Sequence, residues 1–310
     1  MINKRKFFKI LILFILLTLV GLEVYIIREH QSENNFTEGS ISASGSNNEF
    51  KSISYKSYKD WEKIFLEYDY DLNKDIIDVP QIAVKKFPED INQIRDAKKR
   101  KELFLSIMLI GAYHANQEIL KDRAKLNSLV KQYNIDRKLQ KEDNQWLNLM
   151  IDKYNVEANS VKDELDELLY KVDIIPLSLV LSQAACESGW GTSRFTKVAN
   201  NIFGEWTFSE NVAGVVPKAR PANATYKIRK FDTIEEAIAS YLNNLNSHYA
   251  YEKLWDIRST LRNNNQNLDS LKLAAGLINY SERREDYVEQ VKDIIEYNNL
   301  KKIDKLLKIK

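Results

Sequence analysis

One carboxylate lies where an apolar helix gives way to a glycine-containing turn. Glu187 closes a segment rich in Leu, Val and Ala, and a Ser-Gly-Trp-Gly turn at 188–191 follows it. Glycines end helices and allow a ligand to approach the backbone closely, so we expect Glu187 at the wall of a cleft. Partial desolvation there raises the pKa of a carboxyl group, as a general acid working near neutrality requires. A lone glutamate in this position is more often an ordinary last-turn residue, so its neighbours must decide its role.

The helix that positions Glu187 is predicted to be buried on nearly all sides. Pro176 suits the first helical position, because its missing N–H would have no partner there. The residues after it leave hardly any polar face: Leu177, Leu179, Val180, Leu181, Ala184 and Ala185. A helix that is apolar all round lies in the middle of a core.

Cysteine and histidine offer no competing chemistry. Cys186 is the only cysteine, so no intramolecular disulfide can form. A nucleophilic cysteine needs a nearby base, whereas the three histidines, His30, His114 and His248, are scattered along the chain. We therefore interpret Cys186 as a packing residue, and we expect no zinc or other metal site and no cofactor.

The overall composition narrows the class of protein. The 310 residues carry a net charge of +2, so nothing favours nucleic acid as a partner. Only 9 Gly and 5 Pro interrupt the chain, which favours a mostly helical structure. The length suffices for one catalytic core with an accessory region, and we expect a monomer.

Longer motifs around Glu187 give its role a specific interpretation. The segments ESGWGTSRF and ANNIFG, followed by GVVPKARPANATYKIRKF and LAAGLINYSERREDYVEQV, resemble the glucosaminidase family of peptidoglycan hydrolases. The resemblance covers roughly residues 172–300 and weakens upstream. It implies a lysozyme-like core with a small β-lobe inserted between helices, and it implies that Glu187 is the catalytic acid. The expected reaction is hydrolysis of the β-1,4 bond after N-acetylglucosamine in peptidoglycan strands.

Aromatic and polar residues near the motif are candidates for binding the glycan. Tyr280, within NYSER, matches the cleft tyrosine of the family, and its phenol either hydrogen-bonds the sugar at the cleavage point or is a buried core group. Asn201, Phe203 and Trp206 follow the ANN motif as substrate-binding candidates, the two aromatic rings by stacking on sugars. For Trp190, packing beneath the helix end is the expected role.

The second catalytic group stays open at the level of sequence. Glycosidic cleavage passes through an oxocarbenium-like transition state, in which a second group assists water or acts as nucleophile. Members of the family often supply an acid from the β-lobe, but residues 217–231 contain no Asp or Glu. Glu205 and Glu210 are the nearest acids. Assistance by the N-acetyl group of the substrate, or water held without a strong base, are the alternatives.

Two other functions compete with a glucosaminidase. Lytic transglycosylases also place a Glu-Ser pair at a helix end, but they typically continue with a GLMQ-type segment where this chain has NNIFG. A non-catalytic, membrane-tethered wall-binding or scaffold module is the alternative from another class. The products formed from peptidoglycan separate these possibilities.

The N-terminal residues predict a membrane anchor. Lys4, Arg5, Lys6 and Lys9 precede an apolar run at 10–22, and bulky or charged residues follow it instead of a small-residue cleavage site. An uncleaved transmembrane helix is therefore expected. Its positive end stays in the cytoplasm, which places the catalytic domain outside, on the bacterial cytoplasmic membrane. The expected partners are this membrane and peptidoglycan glycan strands.

The predicted fold class is α+β, predominantly α-helical: a lysozyme-like core with a small β-lobe, preceded by a helical wrap and the transmembrane helix. The predicted regions are a signal anchor at 1–28, a flexible polar linker at 29–55, a helical accessory region at 56–170, the catalytic domain at 171–300 and a basic tail at 301–310. The apolar stripe of the tail (Leu300, Ile303, Leu306 and Leu307) indicates core packing more than membrane contact.

Periodicity and capping signals locate the elements. Besides the central helix, helices are expected at 61–72, 98–133, 146–154, 160–170 (capped by Ser160), 194–201, from Thr233 onward, 268–277 and 286–297. Strand character marks 202–208 and 224–231, with a loop between them at 214–221.

Overall fold

The computed structural model describes residues 51–53, 56–218, 220–221 and 223–307. The predicted anchor at 1–28, most of the predicted linker and the last residues of the tail lie outside this range. Among the residues that are described, no helix is both long and apolar enough to cross a membrane.

Helices make up most of the described chain. In order, they are α1 (Tyr58–Glu67), α2 (Ala97–Asp136), α3 (Lys141–Tyr154), α4 (Val161–Lys171), α5 (Leu177–Ser188), α6 (Arg194–Ala199), α7 (Ile234–Ser247), α8 (Glu252–Asn263), α9 (Ser270–Ala274) and α10 (Glu285–Tyr297). A 3-10 helix at Leu300–Leu307 closes the described part. The strands are β1 (Lys51–Ile53), β2 (Ile82–Val84), β3 (Trp206–Thr207), β4 (Gly214–Val215) and β5 (Lys227–Arg229).

The strands form two small sheets. β1 pairs with β2 in parallel, with Lys51 opposite Ile82. β3 and β4 flank β5 on either side in antiparallel pairs, and Ile228 of β5 lies opposite both Trp206 and Val215. This second sheet lies between α6 and α7 in the chain, where the β-lobe was predicted. A mostly helical fold with a small antiparallel sheet is confirmed.

Helix α5 lies at the centre of the core, as its sequence predicts. Every residue from Leu177 to Ala185 is buried, and α2, α10 and the C-terminal 3-10 helix pack around it. The stretch 103–112 of α2 is buried on all sides for the same reason, since it offers hardly any polar face. Buried residues of 56–170 and of 171–300 belong to one continuous apolar cluster, so the predicted accessory region shares the core of the predicted catalytic domain.

Side-chain caps fix where several helices begin. The Asp96 carboxylate accepts from the N–H of Lys98 at 2.8 Å before α2. The Ser160 hydroxyl accepts from the N–H of Asp163, the third residue of α4. The Thr233 hydroxyl accepts in the same way from the N–H of Glu236 in α7, at 3.0 Å. Such caps pair backbone N–H groups that the first helical turn leaves free. The caps predicted at Ser160 and Thr233 are confirmed.

Four predicted boundaries need correction. Pro176 is the N-cap of α5, with φ −48° and ψ 134°, and does not occupy the first helical position. Helix α1 ends at Glu67 and not near residue 72, because the chain reverses at Asp69 with φ +52°. The predicted loop at 214–221 begins with strand β4, since β5 offers backbone partners there. The last residues of the predicted linker, 51–53, form β1 by pairing with the buried strand β2.

A buried charged cluster holds the chain just before α5. We call Asp173, Arg123, Arg258 and Arg262 the Asp173 cluster. Arg262 binds the Asp173 carboxylate through two nitrogens, at 2.8 and 2.9 Å, and the Nε atom of Arg123 lies 3.6 Å from it. Arg258, which is 1% exposed, donates to the Asp173 carbonyl at 3.0 Å. The cluster therefore joins α2 and α8 to the segment that leads into the central helix.

The Asp173 cluster also explains why α8 was not predicted. Leu254, Trp255 and Leu261 are buried along this helix, but Arg258 is buried among them. Arginine is almost never fully buried unless it is paired, so in the sequence it reads as an interruption of the apolar face. Its pairing with Asp173 becomes visible only in the folded chain.

The C-terminal 3-10 helix caps the start of α5. The Asp304 carboxylate accepts from the N–H of Ser178 at 2.8 Å and from its hydroxyl at 2.7 Å. Leu300 and Ile303 are buried against the core. The described part of the predicted tail is thus core, as its apolar stripe indicates, and it contributes a polar contact to the central helix.

Candidate active site

The end of α5 turns sharply and brings Glu187 to the surface of the core. Gly189, Trp190 and Gly191 have φ values of +56°, +59° and +77°, a left-handed run that strongly favours glycine. A Cβ atom at Gly191 would lie 2.9 Å from the Phe104 ring of α2, so this position also requires glycine for space. Ser188 stabilises the turn, because its hydroxyl oxygen accepts a hydrogen bond from the Gly191 N–H at 2.9 Å.

A cleft of about 570 Å³ opens beside this turn. Its walls come from the end of α5, from α6, from the β-lobe and from the segment before α10. The lining residues are Glu187, Phe195, Phe203, Gly204, Trp206, Pro217, Tyr226, Ile228, Tyr280 and Ser281. Glu187 is the one acid among these described residues. The cleft therefore presents a single carboxyl group against mainly aromatic and apolar walls.

Burial dominates the electrostatic environment of Glu187. Burial raises the pKa of this carboxyl group, and this effect outweighs a hydrogen bond from Tyr287 and the positive charge of Arg283, which both lower it. Desolvation disfavours the charged carboxylate because protein atoms replace water around it. A carboxylic acid whose pKa is raised toward neutrality, and which faces a cleft, is suited to donate a proton to a bound ligand.

Two pairs of stacked rings form the aromatic walls. Trp206, 56% exposed, stacks on Tyr226 with ring centroids 4.5 Å apart. Phe203 is buried and stacks on Tyr241 at 3.7 Å. Tyr280 is half-buried, and its hydroxyl donates to the Phe203 carbonyl at 3.3 Å. The structure thus brings Glu187 together with three of the sequence-predicted aromatic residues. An exposed, flat pair of rings such as Trp206 and Tyr226 is suited to stack on a sugar ring.

Comparison with known proteins agrees with this geometry. Residues 162–300 match the model of the glucosaminidase family, described as mannosyl-glycoprotein endo-beta-N-acetylglucosaminidase. This part of the chain therefore resembles the glucosaminidase family. The chain is also 30% identical over 182 residues to protein bax of Escherichia coli K12, a match that covers 58% of this chain and 56% of that protein. The chain thus spans about half the length of the curated relative that it matches.

Two solved structures resemble the chain more distantly. One is a C-terminally truncated glycoside hydrolase domain of FlgJ from Salmonella typhimurium, with 20% identity and a TM-score of 0.29 over 41% of this chain and 85% of that one. The other is the catalytic domain of the autolysin Auto from Listeria monocytogenes, with 16% identity and a TM-score of 0.33 over 57% and 96%. At these TM-scores, neither structure supports an argument about this chain.

Asn201 lies outside the cleft. It is 2% exposed, and its amide nitrogen donates to the carbonyls of Glu205 and Arg229, both at 2.8 Å. Its amide oxygen accepts from the Glu205 N–H at 3.0 Å. The side chain is therefore occupied in holding the β-lobe to the end of α6. It does not line the cleft, although the sequence suggested a role in binding substrate.

Neither of the two acids nearest to the motif, Glu205 and Glu210, lines the cleft. The carboxylate of Glu205 turns inward, where one oxygen accepts from the Ser240 hydroxyl at 2.8 Å and lies 3.6 Å from Arg229. Its other oxygen is buried without a hydrogen-bond partner. Burial raises the pKa of Glu205, and the Ser240 bond and the Arg229 charge oppose this. Glu210 is exposed in the β-lobe.

The remaining candidates near Glu187 have structural roles or were not predicted. Burial and the adjacent Glu187 raise the pKa of the Cys186 thiol to about 11, so the reactive thiolate is scarce at neutral pH. Trp190 packs edge-on against Phe104, as expected. Tyr226 was missed, although its spacing of two residues from Ile228 in the β5 region could have located it on the same face. Tyr287 was missed because, in the sequence, it looks like any core tyrosine of an amphipathic helix.

Proposed function

We propose that this chain is a peptidoglycan hydrolase, an endo-β-N-acetylglucosaminidase that cuts the β-1,4 bond after N-acetylglucosamine. The observation that carries the proposal is the placement of Glu187: a carboxyl group with a raised pKa faces a cleft whose other walls are aromatic. The match of residues 162–300 to the glucosaminidase family supports the same reaction class.

Glu187 acts as the general acid in this proposal. The glycan lies along the cleft, with a sugar ring on the Trp206–Tyr226 pair and the scissile oxygen near Glu187. Glu187 protonates that oxygen as the bond breaks, because an oxocarbenium-like transition state needs the leaving group to be neutralised. Tyr280, which lines the cleft, hydrogen-bonds the sugar at the cleavage point.

We propose that the second catalytic group is not a carboxylate of the protein. The Glu205 carboxylate accepts from the Ser240 hydroxyl, and neither Glu205 nor Glu210 is among the residues that line the cleft. The N-acetyl group of the substrate is then the nucleophile that assists bond cleavage, in the manner of substrate-assisted glycosidases. Under this scheme, replacing Glu205 leaves most of the chemical step intact.

Product analysis tests the proposed reaction. Purified peptidoglycan is digested with the full chain and with its Glu187→Gln variant, and the muropeptides are identified by mass spectrometry. A glucosaminidase leaves new reducing N-acetylglucosamine ends, whereas a lytic transglycosylase leaves anhydro-muramic ends. No new ends, with retained binding to the wall, would establish the non-catalytic scaffold instead. A mannosyl glycoprotein, used as a parallel substrate, tests whether this chain has the activity by which the family is described.

The proposed substrate requires the catalytic part to lie outside the cytoplasm. The basic N-terminus, the apolar run at 10–22 and the missing cleavage site support an uncleaved anchor in the bacterial cytoplasmic membrane. Protease added to spheroplasts should then degrade the part after residue 28, and the N-terminal mass should be that of the intact chain. A mature chain that begins after residue 22 would refute the anchor.

A further inference from the structure

A directed chain of hydrogen bonds runs through the core to Glu187. Gln183 and Glu187 are four residues apart on α5 and therefore lie on the same face of the helix. Tyr241 of α7 donates its hydroxyl to the Gln183 amide oxygen at 2.5 Å. The Gln183 amide nitrogen donates to the Tyr287 hydroxyl oxygen of α10 at 3.0 Å. The Tyr287 phenol in turn lies beside the Glu187 carboxyl group, where its hydroxyl acts as a donor that lowers the pKa of that carboxyl.

The direction of this chain follows from what each group is able to donate. An amide nitrogen has no acceptor capacity, so the Tyr287 oxygen must accept from Gln183. The single proton of the phenol is then free to point at Glu187. With the amide reversed, the phenol would give its proton to Gln183 and turn its lone pairs toward the carboxylate, which is unfavourable when Glu187 is ionised.

This chain of hydrogen bonds lies in the core and is protected from solvent. Gln183 is fully buried, Tyr241 is 1% exposed and Tyr287 is 2% exposed. Tyr280 stacks on the Tyr287 ring with centroids 5.3 Å apart and an angle of 8° between the planes, so it lies between Tyr287 and the cleft. Buried polar groups that are fully paired hold one geometry, because an unpaired alternative is costly.

We propose that Tyr287, oriented by Gln183 and Tyr241, is a positioning residue that holds Glu187 in its cleft-facing rotamer and stabilises the carboxylate left after proton donation. The inference rests on the proposed function for its consequence in catalysis. When Glu187 gives its proton to the leaving oxygen, a negative charge develops in a partly desolvated place. A donor already aimed at that charge stabilises the transition state without reorganisation.

Several groups face Glu187, and only one of them donates to it. Tyr287 and Arg283 lower the pKa of Glu187, and burial raises it. Tyr280, Tyr241 and Tyr251 surround the same space, and the Glu187 charge raises the pKa of each. The Tyr280 hydroxyl is directed at the Phe203 carbonyl and that of Tyr241 at Gln183. Tyr287 is therefore the donor whose removal should change the titration of Glu187.

The test measures the titration of Glu187 directly, so it does not depend on activity. The Glu187 side-chain carbonyl is followed by NMR in the full chain with 13C-labelled glutamate, and is assigned by its loss in Glu187→Gln. In Tyr287→Phe the midpoint should move to higher pH, because the charged form loses its donor. Tyr251→Phe is the matched control: it removes a buried phenol that bonds Asn244 and not Glu187, so the midpoint should stay.

A double-variant cycle separates positioning from general loss of structure. Gln183→Met keeps the side-chain length but removes the donor that orients the Tyr287 phenol, so it should shift the Glu187 midpoint in the same direction. In Tyr287→Phe/Gln183→Met the shift should equal that of Tyr287→Phe alone, because Gln183 acts through Tyr287. An unchanged midpoint in Tyr287→Phe, or full additivity in the double variant, would overturn the inference. If Tyr287→Phe does not fold, Gln183→Met alone decides.

Activity adds a second and independent reading. On peptidoglycan, Tyr287→Phe should lower kcat by about 10- to 100-fold, the range for one hydrogen bond to a charged group, with little change in KM. The alkaline limb of its pH profile should move to higher pH with the Glu187 midpoint. A wild-type chain without hydrolase activity would refute the proposed function, whereas the titration would still decide the role of Tyr287.

Discussion

The Asp173 cluster gives the sharpest test of what holds the central helix. Asp173→Asn keeps the shape of the side chain but removes its charge, so Arg123, Arg258 and Arg262 face one another without the carboxylate. Removing one partner of a buried ion pair typically costs about 3–5 kcal/mol. Arg123 and Arg262 have side chains that are 17% and 22% exposed, so water compensates part of their loss. Arg258 has no such access, but the backbone carbonyls of Asp173 and Lys171 that accept from it stay in place, so we expect the lower end, about 3 kcal/mol.

The change should be visible in thermal unfolding. One kcal/mol shifts Tm by about 2–4 °C in domains of 150–250 residues, so Asp173→Asn should lower Tm by about 6–12 °C at pH 7. Asp152→Asn is the matched control, because Asp152 is an exposed acid of α3. Its effect should stay within about 0.5 kcal/mol, as is usual for surface substitutions.

The pH dependence has a defined sign. Burial raises the pKa of Asp173, but the bond to Arg262 and the charges of Arg258 and Arg123 outweigh it and hold the pKa below its usual range. A carboxyl group with a lowered folded-state pKa contributes stability above its unfolded pKa of about 3.9, and loses it as the pH falls through the folded-state value. The difference in Tm between wild type and Asp173→Asn should therefore become smaller as the pH falls. A gap that widens on acidification, or a Tm change no larger than the control's, would refute this account.

Three further predictions concern the helix and its ends. Glu187→Gln should lower kcat on peptidoglycan at least about 10²-fold in a folded protein, whereas Glu205→Gln should leave kcat within about tenfold, as measured by release of reducing ends; equal losses would place Glu205 in the reaction. Cys186→Ala should keep most of the activity and cost on the order of 1 kcal/mol in urea unfolding, and loss of turnover with an intact fold would contradict its packing role. Asp304→Ala should destabilise the chain by about 1 kcal/mol, the usual loss of an N-cap, and an unchanged urea midpoint would show that Ser178 finds another partner.

Elements with a local signal were predicted well from the sequence. The apolar run before Glu187 and the Thr233 cap are local features, and α5 and α7 lie where these features indicate. Helix α8 was missed because Arg258 breaks its apolar face, and the groups that pair with Arg258 come from a distant part of the chain. Strand β4 forms because β5 lies beside it and pairs with it. Its two residues, Gly214 and Val215, carry no sequence signal for this pairing.

The sequence predicted which residues share the cleft better than it predicted how their side chains are arranged. Glu187, Phe203, Trp206 and Tyr280 do line one cleft. The inward turn of Glu205 was not predictable, because it depends on Ser240, which lies on another element 35 residues later. Tyr287 gave no signal either, since a tyrosine on an amphipathic helix reads as packing until its hydroxyl is seen next to Glu187.

The support of α5 has a consequence for anyone who moves this catalytic unit between proteins. Asn116 of α2 exchanges two hydrogen bonds with the backbone of Ile175, at 2.9 and 3.1 Å, and Asp304 caps the first turn that follows. Both supports lie outside 162–300, the span that matches the family model and would therefore suggest itself as a portable module. Transfer of residues 162–300 alone would remove both supports from the start of α5 and expose apolar side chains of this helix to water. The smallest transplantable piece therefore includes α2 and the closing 3-10 helix.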